Sequence, residues 1–127
     1  MSEITVNVRY MVDDVETAVE WYTRHLSFSL LSSQAPAFAD VKRGPLRLLL
    51  SGPTSSAGRP MPDGERPRPG GWNRIHLIVD DLPTEVARLR AAGVNFRNEI
   101  VTGPGGSQIL LIDPSGNFVE LFQPARC

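Results

Sequence analysis

The sequence predicts an α+β fold made of two tandem βαβββ modules. Two observations carry this expectation. Val12-Asp13-Asp14-Val15-Glu16-Thr17-Ala18-Val19 recurs at an offset of 67 as Val79-Asp80-Asp81-Leu82-Pro83-Thr84-Glu85-Val86. Each copy also marks a switch from period-two to helical patterning.

The first element of each module is a strand with one buried face. Val6, Val8, Tyr10 and Val12 alternate with Asn7, Arg9 and Met11, and Ile75, Leu77 and Val79 alternate with Arg74, His76 and Ile78. A helix follows in each. Asp14 and Asp81 can accept hydrogen bonds from the open N–H groups of a first helical turn, and Pro83 suits that turn because it has no N–H to leave unpaired. Val15, Val19 and Tyr22 form one apolar stripe, and Leu82, Val86 and Leu89 the other. Gly93 is placed to cap the second helix. Three strands are expected next, near 28–33, 37–43 and 46–51 in module one (1–51), and near 94–101, 107–112 and 117–123 in module two (72–127). Asp113-Pro114-Ser115-Gly116-Asn117 reads as a tight turn, with proline presetting φ and Gly and Asn tolerating positive φ. Half of residues 52–71 are Gly or Pro, so that segment reads as a linker or loop between the modules.

Composition narrows the function classes. A chain of 127 residues with 41% hydrophobic and 21% charged residues can bury a core of its own. A formal net charge of −1 gives no field to attract nucleic acid or an anionic membrane. The single cysteine, Cys127, permits neither a disulfide framework nor a zinc knuckle and suits a reducing compartment. The segment MSEITVNVRYMVDD has no basic start followed by an apolar run, so no secretory signal is expected, and no stretch has the length of a membrane helix. The expected location is the cytoplasm.

The tandem modules, the V-D-D-[VL] segment after each first strand, and Asp113-Pro-Ser-Gly-Asn-Phe-Val-Glu-Leu121 near the end together resemble the vicinal-oxygen-chelate group. That group includes glyoxalases, bleomycin-resistance proteins and extradiol dioxygenases. The resemblance covers nearly the whole chain and is strongest from Gly71 to Pro124. It implies mixed sheets curled into cups with the helices outside, and a homodimer. It further implies four metal-ligand positions, which fall here on Asn7, Leu49, Arg74 and Glu120. Leucine has no lone pair to give, arginine stays protonated, and asparagine is a weak donor. Only Glu120 is a good ligand, so no metal and no other cofactor is expected.

Alternation puts Trp72, Arg74 and His76 on one face, with Glu120 and Phe122 on the neighbouring strand. Asn7, Arg9 and Met11 come from the first strand of module one, and Arg47 and Leu49 from its fourth. These residues would line a concave small-molecule site with aromatic walls and a few charges. Arg74 and Glu120 can also simply pair, the guanidinium standing where the metal is lost. Arg9 and Arg47 fit either solvated rims or anion recognition. His76 fits either a hydrogen-bonded wall residue or a general base, with Glu120 as the second acid–base candidate. His25, beside Arg24, reads as a helix-end residue. Trp72, Phe38 and Phe122 fit core or cup, and of Trp21 and Tyr22 one should face inward and the other a partner subunit. Gly103-Pro-Gly-Gly106 is a turn between strands and not a phosphate loop, because no helix follows it.

Two functions follow from different classes. One is a metal-free binding protein of the bleomycin-resistance kind, holding a planar or hydrophobic molecule. The other is a lyase, isomerase or dioxygenase, with a non-standard metal site or with His76/Glu120 acid–base chemistry.

Overall fold

The computed structural model describes residues 5–126, so Cys127 lies outside the described residues. The chain divides after Gly70 into two compact units, each built on one mixed sheet. The α+β architecture is the expected one.

Module one runs β1 (Val6–Met11), α1 (Val15–His25), β2 (Ser29–Gln34), β3 (Phe38–Arg43) and β4 (Leu46–Ser51). Its strand order is β1-β4-β3-β2, with β1 parallel to β4 and the other pairs antiparallel. Tyr10, Ala39, Val41, Leu48 and Leu50 are buried on one sheet face, against which α1 packs Val15, Ala18 and Tyr22. The expected stripe shifts slightly. Val19 is only half-buried and Ala18 takes its place, because positions 15, 18 and 22 form the row closest to the sheet. Tyr22 is the inward ring, meeting Tyr10 and Phe28 edge-on at centroid distances of 6.5 and 5.6 Å. Trp21 is half-buried beside it and His25 is the last residue of α1.

Both aspartate caps form. Asp14 Oδ1 accepts from Thr17 N–H at 3.1 Å and Asp81 Oδ1 from Thr84 N–H at 3.2 Å. The Thr84 amide holds the Asp81 carboxyl below its ordinary value. The two helix ends differ. Gly93 closes the second at φ +83°, with Val94 N–H donating to Leu89 O. The equivalent turn after α1 places Ser27 at φ +59°, a conformation costing an L-residue about 1–2 kcal/mol.

The start of the presumed linker is folded onto module one. Gly52 N–H donates to Ala37 O, Ser55 Oγ binds Gly52 O at 2.6 Å, and a single 3-10 turn spans Ser56–Gly58. A Cβ at Gly52 would sit 2.7 Å from Pro36 O, so here glycine provides close approach and not slack.

Module two runs β5 (Ile75–Ile78), α2 (Leu82–Ala91), β6 (Asn95–Phe96), β7 (Val101–Gly103), β8 (Gly106–Ile112) and β9 (Phe118–Pro124). The order is β5-β9-β8-β6, with β7 also paired to β8 and β5 parallel to β9. Leu82, Val86 and Leu89 of α2 are buried, as the stripe requires, and so are Ile75, Leu77, Ile109, Leu111, Val119 and Leu121 of the sheet. The single strand expected over 94–101 is instead two, β6 and β7. Between them Asn98 Oδ1 accepts from Leu110 N–H at 3.0 Å, a side chain doing what strand backbone would otherwise do. The β7–β8 turn ends at Gly106, φ +146°, where a Cβ would lie 2.2 Å from Gln123 O.

The Asp113–Asn117 turn forms, by a somewhat different mechanism. Gly116 alone supplies positive φ; Asn117 contributes its amide to Asp113 Oδ2 at 3.1 Å. Asp113 Oδ1 accepts from the Ser115 and Asn117 N–H groups at 2.9 and 2.8 Å. No helix among the described residues is long and apolar enough to cross a membrane.

Candidate functional site

Each sheet buries one face under its helix, and strand alternation turns the other set of side chains away from it. In module two this helix-free face carries His76 and Ile78 from β5, Phe118, Glu120 and Phe122 from β9, and Gln108, Leu110 and Ile112 from β8. Their register partners are His76↔Glu120, Ile78↔Phe122, Gln108↔Phe122, Leu110↔Glu120 and Ile112↔Phe118.

Glu120 is the centre of the face. It is buried, and Arg74 grips one oxygen, Oε1, with Nε at 2.9 Å and Nη2 at 2.8 Å. The third guanidinium nitrogen, Nη1, donates to Trp72 O at 3.0 Å, which fixes the fork's orientation. The other oxygen, Oε2, lies 3.5 Å from His76 Nε2. A carboxylate stripped of water needs such partners, since an unpaired buried charge costs several kcal/mol.

Aromatic pairs flank this charged centre. Trp72, just before β5 and 63% exposed, lies 5.1 Å from the Phe118 ring at a tilt of 50°. The Arg97 guanidinium stands 5.9 Å from the same indole. His76 and Phe122 rings are 4.8 Å apart, tilted by 37°. The face thus offers two tilted ring pairs on either side of a neutralised carboxylate.

Module one's helix-free face is built differently. β1 brings Asn7, Arg9 and Met11, β4 brings Arg47, Leu49 and Ser51, and β3 brings Phe38, Asp40 and Lys42, in the register Asn7↔Arg47, Arg9↔Leu49, Asp40↔Leu49 and Lys42↔Arg47. Asp40 is 2% exposed. Its Oδ2 accepts from Arg47 Nε at 2.6 Å and its Oδ1 from the Ser32 hydroxyl. Burial pushes the Asp40 carboxyl up, but the Ser32 and Arg47 hydrogen bonds and the Arg47 charge outweigh it and hold the group below its ordinary value. Arg9 Nη1 donates to Ser51 Oγ at 2.9 Å.

The sequence-selected residues therefore fall into two groups. Trp72, Arg74, His76, Glu120 and Phe122 come together in module two, and Asn7, Arg9, Arg47 and Leu49 share a face in module one. Arg9 and Arg47 each make a hydrogen bond to the sheet face while keeping substantial exposure. Asp40, Ser51 and Phe118 were not singled out by sequence reasoning. Asp40 had a readable signal, a carboxylate between Ala39 and Val41 on an alternating strand, with Arg47 beyond a Gly44-Pro45 turn.

These donors do not suit a divalent metal. Arg74 occupies Glu120 Oε1 and carries a positive charge at a position that would have to donate a lone pair, and Leu49 offers no donor atom. Among the described residues no three His, Cys, Asp or Glu side chains cluster.

The sequence model of the Glyoxalase/Bleomycin resistance protein/Dioxygenase superfamily matches residues 5–121. The chain belongs to this superfamily. Solved members share its fold over almost the full length. A superfamily member from Sphaerobacter thermophilus is 25% identical, with a TM-score of 0.75 over 97% of this chain and 98% of that one. TnmS3, an antibiotic binding protein from a Streptomyces species, is 27% identical, with a TM-score of 0.73 over 98% of each chain. A lactoylglutathione lyase from Agrobacterium tumefaciens, 22% identical, has a TM-score of 0.72 over 97% of this chain and 94% of that one. No curated protein is a sequence match. The superfamily thus spans binders and enzymes on one scaffold, and the side chains of the helix-free faces have to distinguish them.

Proposed function

We propose that this protein is a metal-free binder that holds a planar, largely apolar small molecule in its cup and sequesters it without turnover. The observation that carries the reading is the Arg74–Glu120 pair. It fills a ligand position with a guanidinium while leaving the Trp72–Phe118 and His76–Phe122 ring pairs around it. A binder needs shape, apolar area and a few polar anchors, and the lost metal donors cost it nothing. The likeness to TnmS3, an antibiotic binding protein, supports the same reading. The reading includes a homodimer, in keeping with the exposed Ile78 and Val101 side chains of module two.

The test is binding of the neutral planar dye phenylnaphthylamine, followed by fluorescence, before and after exhaustive chelation. Saturable binding is expected, unchanged by the chelator. Trp72→Ala and Phe122→Ala should each weaken it about fivefold, close to 1 kcal/mol. Affinity indifferent to both substitutions would remove the module-two face from the binding site.

A second reading has its own observation, the 3.5 Å approach of His76 Nε2 to Glu120 Oε2. An imidazole beside a carboxylate can move a proton, with Arg74 steadying negative charge on the reacting molecule. If any candidate substrate is turned over, the pH–rate profile should lose a limb in His76→Ala. An unaltered profile would take His76 out of the chemistry.

A further inference from the structure

The helix-free face of module two carries one cation that no carboxylate among the described residues neutralises, Arg97. Strand alternation puts it there. Phe96 pairs with the buried Leu111 and meets the Arg90 guanidinium of α2 at 5.0 Å, so Phe96 points to the helix side and Arg97, the next residue, to the other. Its backbone is fixed twice. Arg97 N–H donates to Leu110 O at 2.8 Å, and Leu110 N–H donates to Asn98 Oδ1 at 3.0 Å. A held base thus carries an exposed guanidinium to 5.9 Å from the Trp72 ring.

The neighbouring acids are committed elsewhere. Glu99, two residues on, pairs with Arg90 at 3.0 Å, and Glu120 pairs with Arg74 at 2.8 Å. Arg74 is the reverse of Arg97: its Nε and Nη2 serve Glu120 and its Nη1 serves Trp72 O. Covering the indole does not account for Arg97 either. At 5.9 Å the guanidinium stands at the outer reach of a cation–π contact, about 6 Å, and it leaves Trp72 63% exposed. The result is a planar fork of donors beside an open indole, which suits an acidic group on an aromatic ring.

We propose that Arg97 is the anion-recognising residue of this face. A planar ligand lies against Trp72 and Phe118 and sets a carboxylate, sulfonate or phosphate group on the Arg97 guanidinium. The inference deepens the sequestration reading, on which it rests, by making the ligand an aromatic acid. All three side chains belong to module two.

Two dyes separate the inference from the reading beneath it. Phenylnaphthylamine is neutral, and anilinonaphthalene sulfonate is the same ring system bearing one oxyanion. The protein should bind the sulfonate roughly fivefold more tightly than the neutral dye, the worth of a charge-assisted pair at a solvent-exposed arginine. Arg97→Gln should bring the two affinities together, and Arg97→Lys should keep part of the preference, retaining charge but losing the fork. Arg88→Gln removes the same charge from α2, on the other side of the sheet, and should leave the preference as it is. A sulfonate preference that survives Arg97→Gln, that falls equally in Arg88→Gln, or that is absent from the unaltered protein overturns the role of Arg97 and leaves sequestration standing. Binding of neither dye overturns both.

Discussion

Arg74→Leu should destabilise the protein by about 3 kcal/mol, with a drop of roughly 10 °C in the melting midpoint. Glu120 is buried and receives both Nε and Nη2 of Arg74 on a single oxygen. Removing the guanidinium leaves a carboxylate with the His76 imidazole 3.5 Å from its other oxygen. That geometry replaces neither hydrogen bond. The double variant Arg74→Leu, Glu120→Leu should recover most of the loss, because it removes the orphaned charge along with its partner and adds apolar area beside Leu110 and Phe118. Denaturant melts of the four proteins give the coupling energy directly. Equal losses in the single and double variants would mean that the pair does not stabilise module two, and the guanidinium would then need another reason to be there.

The contrast between Arg74 and Asp40 shows what could be read from the chain alone. Helix caps and strand faces follow local rules, so Asp14, Asp81 and the alternating residues of β5 were legible, whereas in β1 Tyr10 is buried but Val6, at the strand's start, stays 54% exposed. The Arg74–Glu120 pair was legible through the family resemblance, whose metal-ligand positions fall on both residues, 46 apart in sequence. Asp40 was not, because the two modules are asymmetric. In module two the buried acid sits on β9, whereas in module one it has moved to β3, opposite Leu49. A repeat directs attention to equivalent positions and hides a charge that has crossed to the next strand. The break between β6 and β7 was hidden for another reason. Asn98 replaces backbone pairing with its side-chain carbonyl, and hydrophobic periodicity carries no trace of that.

Asp40→Asn is the sharper test of module one, because its effect should vary with pH in a known direction. The native carboxyl is held below its ordinary value by Ser32 and Arg47 against the opposing effect of burial. A group of this kind binds a proton less readily folded than unfolded, so the unfolded chain takes up the proton first as pH falls. Its stabilisation is complete above the unfolded aspartate value of about 4, and is lost as pH falls through the lower folded value. Asparagine keeps the shape and one acceptor but not the charge, so the variant should be about 2 kcal/mol less stable at neutral pH. Urea melts of both proteins from neutral to strongly acidic pH isolate this one group, because every other carboxylate is common to the two and cancels in the difference. The gap should stay level down to about pH 4 and then close. A gap that persists undiminished in acid would show that the loss comes from hydrogen-bond geometry rather than charge. Arg47 would then be held on the sheet face by the shape of its hydrogen bond to position 40 and not by charge.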